Sequence, residues 1–143
     1  LVGTSGGEFG VQCSMTAYDA ATGKQVWKTY TLPEPQLIRT LSNGKELRGP
    51  AGGSVWNTPA IDPKNNLILF ATGNPNPDLY GEFRKGTNLY TVSMVAVHAK
   101  TGKLAWSFQS VHHDLWDYDL PAQPSLITVR KDGREIPAVS FWR

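Results

Sequence analysis

Apolar and polar positions along this chain alternate in short runs, and the runs come in pairs joined by turn residues. The clearest pair occurs twice, first as Ala17-Tyr18-Asp19-Ala20-Ala21-Thr22-Gly23-Lys24-Gln25-Val26-Trp27 and again as Ala96-Val97-His98-Ala99-Lys100-Thr101-Gly102-Lys103-Leu104-Ala105-Trp106. Each copy reads as a strand, a tight Thr-Gly-Lys turn whose glycine supplies a positive φ, and a second strand, which together make a β-hairpin. The tryptophan falls at the same place after the turn in both copies, as expected of a large ring that docks on a neighbouring unit in every repeat. Between the copies, Trp56 to Asp62, a turn at Pro63 to Asn66, and Leu67 to Thr72 form another hairpin. Pro124 to Val129, a turn at Lys131-Asp132-Gly133 and a terminal apolar strand then restart the pattern. Four-stranded units in series describe β-propeller blades, so the chain is expected to be all-β. Residues 1–31 read as the end of one blade, 32–53 as a loop, 54–110 as a complete blade and 111–143 as the start of the next. The polar, Pro- and Gly-containing stretch 75–88 reads as a second surface loop.

Composition narrows the partners. The 14 Lys and Arg against 12 Asp and Glu leave a net charge of +2, too little to advertise nucleic acid or a membrane surface. At 143 residues and 40% hydrophobic, the chain is long enough for one domain with a real core. The single Cys13 cannot form an internal disulfide and reads as a half-buried small residue. No apolar run approaches the ~20 residues needed to span a bilayer, and Leu1-Val2-Gly3-Thr4-Ser5 lacks the form of a signal peptide. Both ends look like strands cut within a larger protein, so the chain is expected to be a piece of one propeller domain.

Three stretches are unusual for a scaffold: Gly3 to Gly10, Ala71 to Pro75, and His112 to Asp119. Loops at corresponding strand ends of successive blades converge on a propeller's channel, and Glu8, Asn74 and Asp117 lie on successive units. Carboxylate and amide oxygens are hard ligands that suit calcium or a similar cation rather than zinc. Backbone N–H groups at Gly6-Gly7 are placed to approach an anion. Each residue alone also reads as ordinary turn chemistry, Trp56 as core, and His112 and His113 as pointing to opposite sides of a strand. Hairpins of this kind also occur in non-catalytic propellers, so a binding scaffold of envelope protein assembly stays open beside an enzyme.

Taken in order, Ser5-Gly6-Gly7-Glu8-Phe9-Gly10-Val11, the two Thr-Gly-Lys hairpins, Gly52-Gly53-Ser54-Val55-Trp56, Thr72-Gly73-Asn74-Pro75 and His113-Asp114-Leu115-Trp116-Asp117-Tyr118 resemble the pyrroloquinoline quinone (PQQ)-dependent alcohol and sugar dehydrogenases, eight-bladed propellers of the bacterial periplasm. The resemblance implies that Glu8 and Asn74 ligate a metal, commonly calcium, and that Trp56 stacks on the PQQ ring. It implies cofactor contacts from Ser5, Gly6 and Gly7, and a base, Asp117, that takes the alcohol proton. Asp119 sits where lanthanide-using members add a further carboxylate ligand. The run Asp117 to Leu126 also resembles membrane-bound glucose and polyol dehydrogenases, whereas Thr72-Gly73-Asn74-Pro75 looks more like the alcohol branch. Gln12 and Cys13 stand where the family pattern has Arg-Gly. The implied substrate is an alcohol, sugar or polyol, and the implied electron acceptor is cytochrome c or ubiquinone. The family's adjacent-cysteine disulfide, its basic cofactor contacts and the remaining propeller blades are missing from this chain. Alone it is therefore expected to be inactive and to expose strand edges.

Overall fold

The computed structural model describes residues 1–142. The first sheet holds three strands, β1 (Val2–Gly3), β2 (Ser14–Tyr18) and β3 (Gln25–Tyr30), in that order. Next comes a hairpin of β4 (Gln36–Thr40) and β5 (Glu46–Gly49), followed by the short β6 (Ala51–Gly52). The central sheet has four antiparallel strands: β7 (Ala60–Asp62) and β8 (Leu67–Ala71), then, beyond the short β9 (Pro75–Asn76), β10 (Ser93–His98) and β11 (Leu104–Gln109). A last hairpin pairs β12 (Ser125–Lys131) with β13 (Arg134–Ser140).

The near-continuous apolar runs of β8 and β10 follow from their position, because both faces of the central sheet are covered. On one face Ile68, Phe70, Val95 and Val97 pack against Met15, Trp27 and Val55. On the other, Leu69, Ala71, Met94 and Ala96 meet Leu120, with Val111, Val139 and Phe141 at the margin. The first and central sheets thus stack face to face, and β13 reaches the other face of the central sheet through Val139.

The repeated tryptophan is one of the joints of this stack. Trp27 is 7% exposed, and its indole Nε1 donates to the Ala99 carbonyl at 2.8 Å. It rests on the turn of the next sheet's hairpin, where a Cβ at Gly102 would come within 2.6 Å of the ring. Gly23 and Gly102 occupy the same left-handed conformation, at φ 70° and 68°. Gly102 is therefore required twice, by its backbone and by the ring above it. Trp106, at the same place in the repeat, keeps 37% exposure beside the β12–β13 hairpin. Trp27→Ala removes both the ring and a buried hydrogen bond, and is expected to cost the parent protein about 3 kcal/mol or more, read by denaturant unfolding.

The structure departs from the sequence reading in four places. Segment 32–53 is not a plain loop, since it carries β4, β5 and β6. β4 is exposed at every position, so it shows no buried face and no alternation to betray it. Segment 75–88 opens with a strand paired to β6 and encloses a buried Arg84. Cys13 is fully rather than half buried, and burial pushes its thiol pKa up. His112 and His113 lie in a turn, where His113 has a φ of 48°, so the two-sided strand expected of them does not form.

Candidate functional site

Glycines bring the sequence-predicted stretches together by removing side chains between backbones. The amide of Val55 donates to the Thr4 carbonyl at 2.9 Å, laying the 51–56 strip against the start of the Ser5–Gly10 loop. A Cβ at Gly7 would fall 2.5 Å from the Gly52 Cα, and one at Gly52 would fall 2.3 Å from the Asn74 carbonyl oxygen. Gly53 donates to that same oxygen at 2.8 Å, and Gly73 donates to Ser54 at 2.9 Å. β6 and β9 pair at this crossing, with Gly52 opposite Pro75. A fourth segment joins when the Asn74 amide donates to Asp119 Oδ1 at 2.6 Å. Asn57 secures the same segment, its Nδ2 donating to the carbonyls of Ala71 and Leu120, each at 3.0 Å.

Glu8 sits exposed in a single 3-10 turn, Gly7–Phe9, flanked by Gly6 and Gly10 in the left-handed region. Ser5 is exposed, and the Gly7 amide, 3.3 Å from Ser54 Oγ, is already engaged. Gly7 thus serves the crossing itself, and its N–H is not an open anion donor. Asn74 is 4% exposed, with Nδ2 donating to Asp78 Oδ1 at 2.7 Å. Trp56 is half exposed, and its indole nitrogen lies 3.5 Å from where a Gly73 Cβ would stand, next to Asp119.

Negative charge accumulates around Asn74. Burial raises the Asp119 pKa, partly offset by the Asn74 amide, and Asp117, Glu8 and Asp78 push it further up. Asp78 is raised likewise, first by burial and then by Asp117, with Glu8 adding to it and the Asn74 amide opposing. Among the described residues, no three His, Cys, Asp or Glu side chains come close enough to hold a metal ion by themselves. Asn74 adds a side-chain amide oxygen to the acidic residues nearby.

Asp117 itself is exposed and left-handed, at φ 61°, a conformation that non-glycine residues adopt at a cost. Its neighbours hold it there. The buried Asp114 carboxylate accepts from the amides of Trp116 at 3.0 Å and Tyr118 at 2.8 Å, and the Trp116 and Tyr118 rings stack with centroids 5.8 Å apart.

Over residues 6–142 the sequence matches the family described as "PQQ: Glucose/ethanol/alcohol dehydrogenase, beta-propeller domain". The chain belongs to this PQQ dehydrogenase family. It is 35% identical to the lanthanide-dependent methanol dehydrogenase of Methylorubrum extorquens, across 99% of this chain and 26% of that protein. It is 38% identical to a quinoprotein glucose dehydrogenase of Gluconobacter oxydans, across 86% of this chain and 15% of that protein. The solved quinohemoprotein alcohol dehydrogenase ADHIIG of Pseudomonas putida superimposes with a TM-score of 0.81 at 32% identity, covering 96% of this chain and 22% of that one. The chain thus spans about a quarter or less of the length of these relatives, and its sheets are those of a β-propeller.

Within this PQQ-family chain, the sequence reading overlooked the residues that hold the site rather than form it. Asn57, Asp78 and Arg84 have no assigned role in it, and Ser54 and Asp114 figure only as members of a motif. Arg84 is 3% exposed and, among the described residues, donates to no carboxylate. Its guanidinium donates to the carbonyls of Pro77, Asp78 and Asp114 and to Asn88 Oδ1. Burial lowers its pKa, while Asp114 and Asp78 oppose that shift. Nothing in the sequence separates Arg84 from the adjacent Lys85, which is exposed.

Proposed function

We propose that this chain is a segment of a periplasmic quinoprotein dehydrogenase that oxidises alcohols, sugars or polyols, using PQQ and a calcium or lanthanide ion. What supports the reading is a backbone crossing, in a chain of this family, at which the Glu8 loop, Asn74 and Asp119 meet, with the charges of Asp117 and Glu8 acting on Asp119. The donor chemistry fits a hard cation: carboxylate oxygens, an amide oxygen and excess negative charge that a bound cation would neutralise. The half-exposed Trp56 ring beside Gly73 offers an aromatic face to a planar cofactor.

In this reading Glu8 and Asn74 Oδ1 ligate the metal, and Asp119 adds a carboxylate through Oδ2, because its Oδ1 accepts from the Asn74 amide. The redox chemistry that side chains lack, acceptance of a hydride, would be supplied by PQQ when bound. Asp117 takes the proton from the substrate hydroxyl at a carboxylate oxygen, for which it must come within ~3 Å of that hydroxyl. Ser5 and Gly6 border the cofactor, and Gly7 holds the strip beneath it. Further blades of an eight-bladed propeller close the channel in the parent protein, which delivers electrons to cytochrome c or ubiquinone and is held in the periplasm, free or attached to the inner membrane.

The test is reconstitution of the full-length parent with PQQ and either calcium or a lanthanide. Reduction of an artificial electron acceptor with at least one alcohol, sugar or polyol is expected. Inactivity across a broad panel under both metals would overturn the proposal and favour the scaffold reading.

A further inference from the structure

We propose that Asp78 is the positioning residue that fixes the Asn74 amide with Oδ1 presented to the cation. This rests on the reading of Asn74 as a ligand and extends it to a residue that supplies no ligand atom of its own.

A side-chain amide has two nearly isosteric orientations, and only one presents oxygen to a cation. Asn74 is almost wholly buried, so water cannot freely choose between them. Its Nδ2 faces the Asp78 carboxylate at 2.7 Å and, more weakly, the Pro75 carbonyl at 3.4 Å. Both partners are acceptors. A flipped amide would set Oδ1 against the Asp78 carboxylate, so the flip is resisted by lone-pair repulsion as well as by the lost bond.

Asp78 is itself held in place. Arg84 grips the chain on both sides of its carboxylate, with Nε on the Pro77 carbonyl at 2.8 Å and Nη2 on the Asp78 carbonyl at 2.7 Å. The other contacts of the guanidinium, Asn88 Oδ1 and the Asp114 carbonyl, tie this brace to the turn that carries Asp117. The Asn74 main chain is fixed separately by Asp119, so the Asp78 contact acts on the side-chain amide and not on the backbone. Partners of this kind behind a ligand typically change metal affinity by 10- to 100-fold when removed.

The experiment is a terbium luminescence titration, with calcium competition, on the full-length apoprotein. Asp78→Ala is expected to weaken binding of both ions by about 10- to 100-fold. Asp78→Asn keeps an acceptor for Asn74 Nδ2 without the charge, and is expected to recover affinity to within a few-fold of the parent. Asp78→Ser, too short to reach Nδ2, repeats the loss if the alanine variant does not fold. Unchanged affinity in the alanine or serine variant overturns the positioning role, and so does an asparagine variant as weak as alanine, which would show charge alone at work. Glu8→Ala separates the two levels of inference. If it abolishes binding while Asp78→Ala does not, only the role of Asp78 falls. If Glu8→Ala leaves binding intact, the ligand assignment falls and the Asp78 proposal with it.

Discussion

Asp117→Asn in the full-length parent is expected to lower kcat by about 10²- to 10⁴-fold while PQQ content stays at the parental level. The asparagine matches the aspartate in shape and tolerates the left-handed backbone that residue 117 adopts at φ 61°. The Asp114 clasp on the amides of Trp116 and Tyr118 uses main-chain donors, which the substitution does not touch. Geometry therefore survives, and what disappears is the group that accepts a proton. Bound quinone measured by its absorbance after extraction, alongside turnover with an artificial acceptor, separates the two effects. An unchanged rate would remove Asp117 from the role of base.

Gly52→Ala should act on the whole site at once. Gly52 stands at φ 100°, where any side chain is strained by roughly 1–2 kcal/mol. Its new methyl would also meet the Asn74 carbonyl at 2.3 Å and the Pro75 Cα at 2.7 Å. Both are backbone atoms, so no rotamer change relieves the clash, and the cost on the order of 1–3 kcal/mol usual for overpacking is a lower bound. The expected result is a full-length protein destabilised by several kcal/mol, or one in which β6 and β9 part and cation binding is lost. Differential scanning calorimetry and the terbium titration together check it. A variant with parental stability and affinity would show that the crossing has slack.

How far the site could be read from sequence depended on whether a residue's role was local. The hairpin turns were legible because the left-handed backbone at Gly23 and Gly102 is set within a few residues, although the Trp27 ring over Gly102 is not. β7, β8, β10 and β11 were legible from apolar runs bounded by turn residues. β4 was not, because a strand exposed along its whole length has no buried face to generate a pattern. The ligand candidates announced themselves as motifs, whereas Asp78 looked like one more polar residue in a loop. Its meaning lies in a single 2.7 Å contact with Asn74. Arg84 is similar, because its buried contacts with main-chain carbonyls depend on a loop path that composition does not encode. The crossing at Gly7, Gly52 and Asn74 joins residues remote in the chain, and only the stacking of sheets brings them together.

That crossing divides the molecule's chemistry into two layers that can change independently. At the floor Gly7, Gly52 and Asn74 meet backbone against backbone, with no adjustable side chain between them. Phe9 at 89% exposure and Leu79 at 74% lie close in sequence to Gly7 and Asn74 without contributing to the crossing. These positions are free to take other shapes and polarities. Substitutions there can vary the shape and polarity of the surface while the backbone crossing behind it keeps its spacing.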